Sequence, residues 1–155
     1  VIPVGNKGLV IEKVDGPSHL KVVEEFGYEM YMHCGAIRKV LLAWQTPAFI
    51  DEYFKNIILH DQAFPHVRPD DLREELKKIR QDGYAITHGE YVTDALGIGA
   101  PVFNSDGELA GSIGIIAPEI RVDTPELLDT QKDLVQFYAS SLSADLGYEK
   151  HDVFQ

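Results

Sequence analysis

The sequence predicts an α+β domain: one twisted, mainly antiparallel sheet with helices packed against it. Three observations carry that prediction. Residues 83–121 hold three short apolar runs of strand character separated by turn chemistry. Upstream of them, apolar residues recur at the helical period, each set forming one wide stripe. Downstream, Thr124-Pro125-Glu126 opens a long periodic segment that Gly147 closes, a last helix sealing the sheet.

Gly8 to Val14 is rich in β-branched residues and alternates loosely, which predicts a strand. Asp15-Gly16-Pro17-Ser18 supplies a turn, and His19 to Glu24 alternates again as a possible hairpin partner. From His33 the period changes. Ala36, Ile37, Val40, Leu41 and Trp44 fall at helical spacing, with Arg38 and Lys39 assigned to the opposite face. Thr46-Pro47 ends this helix and starts a second, Thr as N-cap and Pro in the first turn. The second helix carries Phe49, Ile50, Tyr53, Phe54, Ile57 and Ile58 on one stripe.

Residues 59–68 have no period and read as a loop. Asp70 or Asp71 then opens a third helix with Leu72, Leu76 and Ile79 inward, and with Glu74 and Lys78 as an i,i+4 pair outside. Gly83 closes it. Tyr84 to Thr87 is a short strand, and residues 89–97 break it. Ile98 to Phe103 and Leu109 to Ile116 form a hairpin across Asn104-Ser105-Asp106-Gly107. Gly97, Gly99, Gly111 and Gly114 in or beside these strands imply close backbone approach, by a ligand or by a packed helix. In the last helix, Leu127, Leu134, Tyr138, Leu142 and Leu146 form the apolar stripe.

Length and charge bound the function. The 155 residues suit one domain over 1–150, with 151–155 a tail lacking any period. A formal net charge of −11 argues against a nucleic-acid surface on this segment, because phosphate binding needs clustered Lys and Arg. No apolar run is long enough to span a bilayer, and the start VIPVGNKG has no signal-peptide pattern. That start also lacks an initiator methionine, so an excised domain is expected. The single Cys34 excludes an intramolecular disulfide and suits a reducing cytoplasm.

Three segments carry a resemblance. Gly27 to Ala43 (GYEMYMHCGAIRKVLLA), Leu72 to Glu90 (LREELKKIRQDGYAITHGE), and Ala100-Pro101-Val102-Phe103 with its following hairpin turn, Pro118 and Arg121, occur in this order. Together they resemble the effector-binding domain of the IclR family of transcriptional regulators, over nearly the whole chain. The resemblance implies a GAF-like fold closing over an effector pocket. It also implies a separate N-terminal winged helix-turn-helix domain as the only DNA contact, and assembly as a homodimer or homotetramer in the cytoplasm. The effector it implies is a small organic acid or similar metabolite. Where the family usually carries threonine, glycine, proline and glycine, this chain has Gly35, Arg38, Tyr31 and Asp94. Gly114 and Ile116 stand where small hydroxyl residues are frequent, so the effector of better-known relatives does not transfer.

Within this frame the expected effector-binding residues are His33, Cys34, Gly35, Ala36, Glu90, Asp94, Ala100, Gly114 and Ile116. An effector carboxylate would sit at Gly35 and Ala36, on the free N–H groups and positive dipole end of the first helix, above an apolar floor containing Gly114 and Ile116. Alternatively, Gly35 only packs closely on the sheet. His33, Cys34, His88, Glu90 and Asp94 form a second candidate set, as metal ligands, although no paired metal motif is present. Cys34 at a helix N-terminus could instead be a reactive redox thiol. No nucleophile elbow or phosphate loop occurs, so neither an enzyme nor a resident cofactor is expected. Pure oligomerisation is the third class.

Overall fold

Two three-stranded antiparallel sheets carry the fold in the computed structural model, which describes residues 1–17, 22, 24–60 and 66–149. The first contains β1 (Ile2–Val4), β2 (Lys7–Leu9) and β3 (Glu29–Tyr31), in that order. The second contains β4 (Ala85–His88), β5 (Ala95–Phe103) and β6 (Leu109–Pro118). The α+β class holds, but the expected single sheet resolves into two. They meet at one point, where Val1 and Ser112 exchange backbone hydrogen bonds of 2.8 Å each.

The strand expected from Gly8 to Val14 stops at Leu9. Val10 still exchanges bonds with Tyr28 (3.0 Å) and Gly27 (2.8 Å), but Ile11 and Val14 beyond it are exposed and leave the sheet. The partners of β2 are β1 and β3. The expected partner, His19 to Glu24, falls almost wholly outside the described residues, and Val22 and Glu24 within it are not strand.

Helix α1 (Ala36–Ala43) is buried along its whole length. The placement of Arg38 and Lys39 on an outer face is therefore corrected: they are 2% and 1% exposed. One side of α1 packs on β5 and β6, the other on α3 (Pro69–Asp82), so no face is left for solvent. Gly99 and Gly114 show how tight the first contact is. A Cβ on Gly99 would lie 2.7 Å from Ile37 Cα, and one on Gly114 would lie 2.6 Å from Ile37 Cγ1. At Gly99 the packed helix is the reason for glycine; at Gly114 the Ile98 carbonyl oxygen of β5, closer still to where a Cβ would be, is the first obstacle and Ile37 the second.

Helix α2 (Pro47–Tyr53) is capped as expected, Thr46 Oγ1 accepting from Phe49 N at 3.2 Å. It runs on into a π-helical turn, Phe54–Ile58, closed by Leu59 N–H donating to Phe54 O at 3.0 Å. Helix α3 begins at Pro69 rather than at an aspartate; Asp70 and Asp71 occupy its first turn, where the dipole favours acids. Its outer pairs are Glu74–Lys77 and Lys78–Asp82, replacing the expected Glu74–Lys78. Gly83, at φ 79°, ends it in the left-handed conformation.

Helix α4 (Pro125–Asp145) turns a different face inward than its periodicity suggests. Leu127, Leu134, Tyr138, Leu142 and Leu146 are 40–58% exposed. Val135, Ala139 and Ser143 face β5 instead, the small side chains allowing close approach. Ser143 Oγ accepts from Phe103 N at 3.0 Å and donates to Ala139 O at 2.8 Å. The core thus divides into two clusters, one around α1, α2 and α3 and one between β5 and α4.

Candidate functional site

A cleft opens where α1 begins. Its floor is one cross-strand row of the second sheet: Thr87 pairs with Gly97, and Gly97 with Ile116. Gly35 precedes the helix at φ 74° and ψ 161°, a conformation reserved for glycine, and no atom lies within 4 Å of where its Cβ would be. The close-packing reading of Gly35 is thereby excluded; the backbone turn and open space account for it. Loop residues Glu90, Tyr91 and Val92 form the far wall, and Val22 and Glu24 cross the top. The cleft is small, with a cavity volume of about 40 Å³, and opens to solvent.

The helix start is already partly satisfied. Ala36 N–H donates to Thr87 Oγ1 at 3.1 Å, and Cys34 N–H to Tyr31 O at 3.0 Å. Thr87, having accepted from Ala36, keeps its hydroxyl proton for another acceptor. Gly97 makes this possible, since a Cβ there would lie 3.0 Å from Thr87 Oγ1 and 3.4 Å from Ala36 Cβ.

Two buried cations stand next to the cleft, Arg38 in its lining and Lys39 beyond it. Arg38 Nη1 donates to Glu24 at 2.6 Å, its Nε lies 3.4 Å from Gly8 O, and Tyr28 faces the guanidinium at 5.7 Å. Lys39 Nζ donates to Glu90 at 2.6 Å and to both oxygens of Glu75 at 2.7 and 2.8 Å. The hydroxyls of Tyr28 and Tyr91 are hydrogen-bonded to each other. Burial, then this bond, pushes the Tyr91 phenol up to about 12. Burial likewise pushes the Cys34 thiol up to about 12, the opposite of an activated thiolate.

Of the expected residues, Cys34, Gly35, Ala36, Glu90 and Ile116 line the cleft together. The other four lie elsewhere. His33 is fully buried with Nδ1 2.7 Å from the Tyr53 hydroxyl. Asp94, at φ 58°, is exposed in a turn, its carbonyl accepting from Glu119 N at 2.9 Å. Ala100 belongs to the core between β5 and α4, and Gly114 lies under Ile37. His88 is exposed beside Glu119, its Nδ1 3.2 Å from the carboxylate. Among the described residues no three His, Cys, Asp or Glu side chains gather as a metal site.

Sequence reasoning missed Thr87, Arg38 and Lys39. Alternation from Ala85 places Thr87 on the inward face of β4. Ala36, Ile37, Val40, Leu41, Leu42 and Ala43 ring the first helix on all sides, the pattern of a buried helix. Both signals were present.

The start of α1 thus faces the row of Thr87, Gly97 and Ile116, beside the loop that carries Glu90. The chain belongs to the IclR family, residues 2–144 matching the family model described as "Bacterial transcriptional regulator IclR C-terminal". That family is one of transcriptional regulators, not enzymes. The chain is 31% identical over 115 residues to the uncharacterized HTH-type transcriptional regulator RhmR of Escherichia coli strain K12, covering 73% of this chain and 44% of that one. To the HTH-type transcriptional regulator KipR of Bacillus subtilis it is 26% identical over 145 residues, covering 93% and 58%. The chain spans about half the length of the curated relatives it matches. In the crystal structure of the Thermotoga maritima IclR, the match has a TM-score of 0.83 at 28% identity, covering 95% of this chain and 60% of that one. The Agobacterium tumefaciens repressor BlcR shares the fold, with a TM-score of 0.76 at 22% identity and coverage of 96% and 59%. Among the described residues no helix is long and apolar enough to cross a membrane.

Proposed function

We propose that this domain senses a small organic acid in the cytoplasm, and that effector binding alters operator binding by a helix-turn-helix domain of the same protein. The observation that carries this reading is the cleft at the start of α1, lined together by Thr87, the buried Arg38, Gly97 and Ile116. A hydroxyl donor, a helix N-terminus and a cation together favour a carboxylate, and the apolar floor takes a short carbon chain. The relatives' names, HTH-type transcriptional regulators, support the link to DNA. Calorimetric titration of short-chain acids and their amides against wild type and Thr87→Val tests it. Acids should bind and Thr87→Val should weaken them; indifference of every acid to the substitution would move the site elsewhere.

Oligomerisation is the second part of the reading. The stripe of Leu134, Tyr138, Leu142 and Leu146 along α4, with Phe137 at 63% exposure beside it, is an apolar face larger than scattered surface residues account for. We assign it to contact with a second copy. The raised Cys34 thiol weighs against the redox alternative.

A further inference from the structure

The Arg38 side chain is 3% exposed, and its Nη2 is buried with no hydrogen-bond partner among the described residues. Buried guanidinium donors are nearly always satisfied, so an orphan of this kind asks for an explanation. Arg38 lines the cleft, and the carboxylate on its Nη1 comes from Glu24, which lines the cleft too. Glu24 engages only one nitrogen, through one oxygen, whereas Arg and a carboxylate can pair through two parallel bonds.

The connection between β2 and β3, of which residues 10–17, 22 and 24–28 are described, contains Glu24. Its near end is tied to Val10 by the Gly27 and Tyr28 backbone bonds, and to the opposite wall by the Tyr28–Tyr91 hydroxyl contact. Glu24 is therefore a carboxylate lining the cleft a few residues before two anchored positions, Gly27 and Tyr28.

We propose that Arg38 is the residue that reads the effector's acid group, and that Glu24 is a tethered carboxylate occupying its place until the effector displaces it. This rests on the acid-sensing reading of the same cleft. A free carboxylate would take Nη1 and the orphan Nη2 together, which Glu24 does not. Glu90 and Glu24 both line the cleft, so their charge selects a monocarboxylate against dicarboxylates and inorganic phosphate.

The test is calorimetric titration of the full-length protein containing this chain with acetate, butanoate and 2-hydroxybutanoate. Butanamide, succinate and phosphate serve as comparisons. An acid that binds wild type should bind Glu24→Gln about tenfold more tightly, because the site no longer competes with itself. Arg38→Lys should weaken the same acid by about tenfold or more, since a lysine cannot form the paired bonds. Butanamide should respond to neither. Should Glu24→Gln not fold, Glu24→Asp, with its shorter reach, should tighten binding in the same direction. Acid affinity in the glutamate variants unchanged within about twofold, or weakened, overturns the proposal while leaving acid sensing intact. A purely structural salt bridge would lower the melting temperature in both variants and shift acid and amide alike, which also overturns it. If no acid binds any of the proteins, acid sensing itself fails and the proposal falls with it.

Discussion

Lys39 Nζ lies 2.6 Å from Glu90 Oε1, so a cation buried in α1 holds a carboxylate of the loop that walls the cleft. Glu75 of α3 grips the same ammonium from the other side at 2.7 Å. Lys39 is 1% exposed, and the two carboxylates are 34% and 30% exposed, so the desolvation falls mainly on the lysine.

Removing one glutamate should therefore be mild and removing both severe. Each of Glu75→Gln and Glu90→Gln should cost about 0.5–1.5 kcal/mol, because Lys39 keeps one partner. The double variant leaves a buried cation unpaired and should exceed the sum of the singles by about 1–3 kcal/mol. Urea unfolding of the four proteins measures the coupling directly.

Glycines of the same composition differ in what they permit. Gly99→Ala places a Cβ 2.7 Å from Ile37 Cα and should destabilise by about 1–3 kcal/mol through a forced separation of α1 from β5. Gly35→Ala meets no atom but must hold φ 74° with ψ 161°, costing about 1–3 kcal/mol from backbone strain alone. Near-ultraviolet dichroism separates them: disturbed side-chain packing for Gly99→Ala, a native spectrum for Gly35→Ala.

Alkaline pH should weaken the fold. The Cys34 thiol, 9.0 in an ordinary setting, is held up to about 12 by burial, so the unfolded chain loses its proton first. The stability this represents is whole below pH 9 and disappears as pH rises toward 12. Tyr91, raised from 10.0 to about 12, and Tyr53, raised mainly by burial, act in the same direction. Melting temperature should be level from about pH 7 to 8.5 and fall above about pH 9, less steeply in Cys34→Ala. The same thiol should react with a maleimide near neutral pH far more slowly than a free cysteine.

The α4 stripe predicts self-association. Leu134→Glu and Leu142→Glu alter residues 44% and 40% exposed, so monomer stability should change by less than about 0.5 kcal/mol. Sedimentation velocity should show an oligomer for wild type and a smaller species for the double variant. An unchanged sedimentation coefficient would place the contact on another face.

Much of the fold was legible because local chemistry agreed with it. Thr46-Pro47, Thr124-Pro125 and Gly83 each mark a helix boundary the structure keeps, to within a residue or so. The errors arose where tertiary packing outweighed local pattern. The α4 leucines have helical spacing that suits a core, yet it is the smaller Val135, Ala139 and Ser143 that are buried, with Val135 and Ala139 packed in one cluster with β5. Arg38 and Lys39 read as a polar face because charge ordinarily means solvent, whereas carboxylates distant in sequence neutralise them here. The cleft was half legible for the same reason. Cys34, Gly35 and Ala36 are adjacent in the chain, but Thr87, Arg38 and Glu24 come to line one cleft only through the packing of segments distant in sequence.

The most direct measurement is a crystal structure of the protein with the acid that titrates most tightly. The account predicts its carboxylate within hydrogen-bond distance of Arg38 and the Thr87 hydroxyl, and its carbon chain over Gly97 and Ile116. A ligand found instead in the groove between α3, β4 and α4, or at an interface along α4, with the cleft at the start of α1 empty, would contradict it.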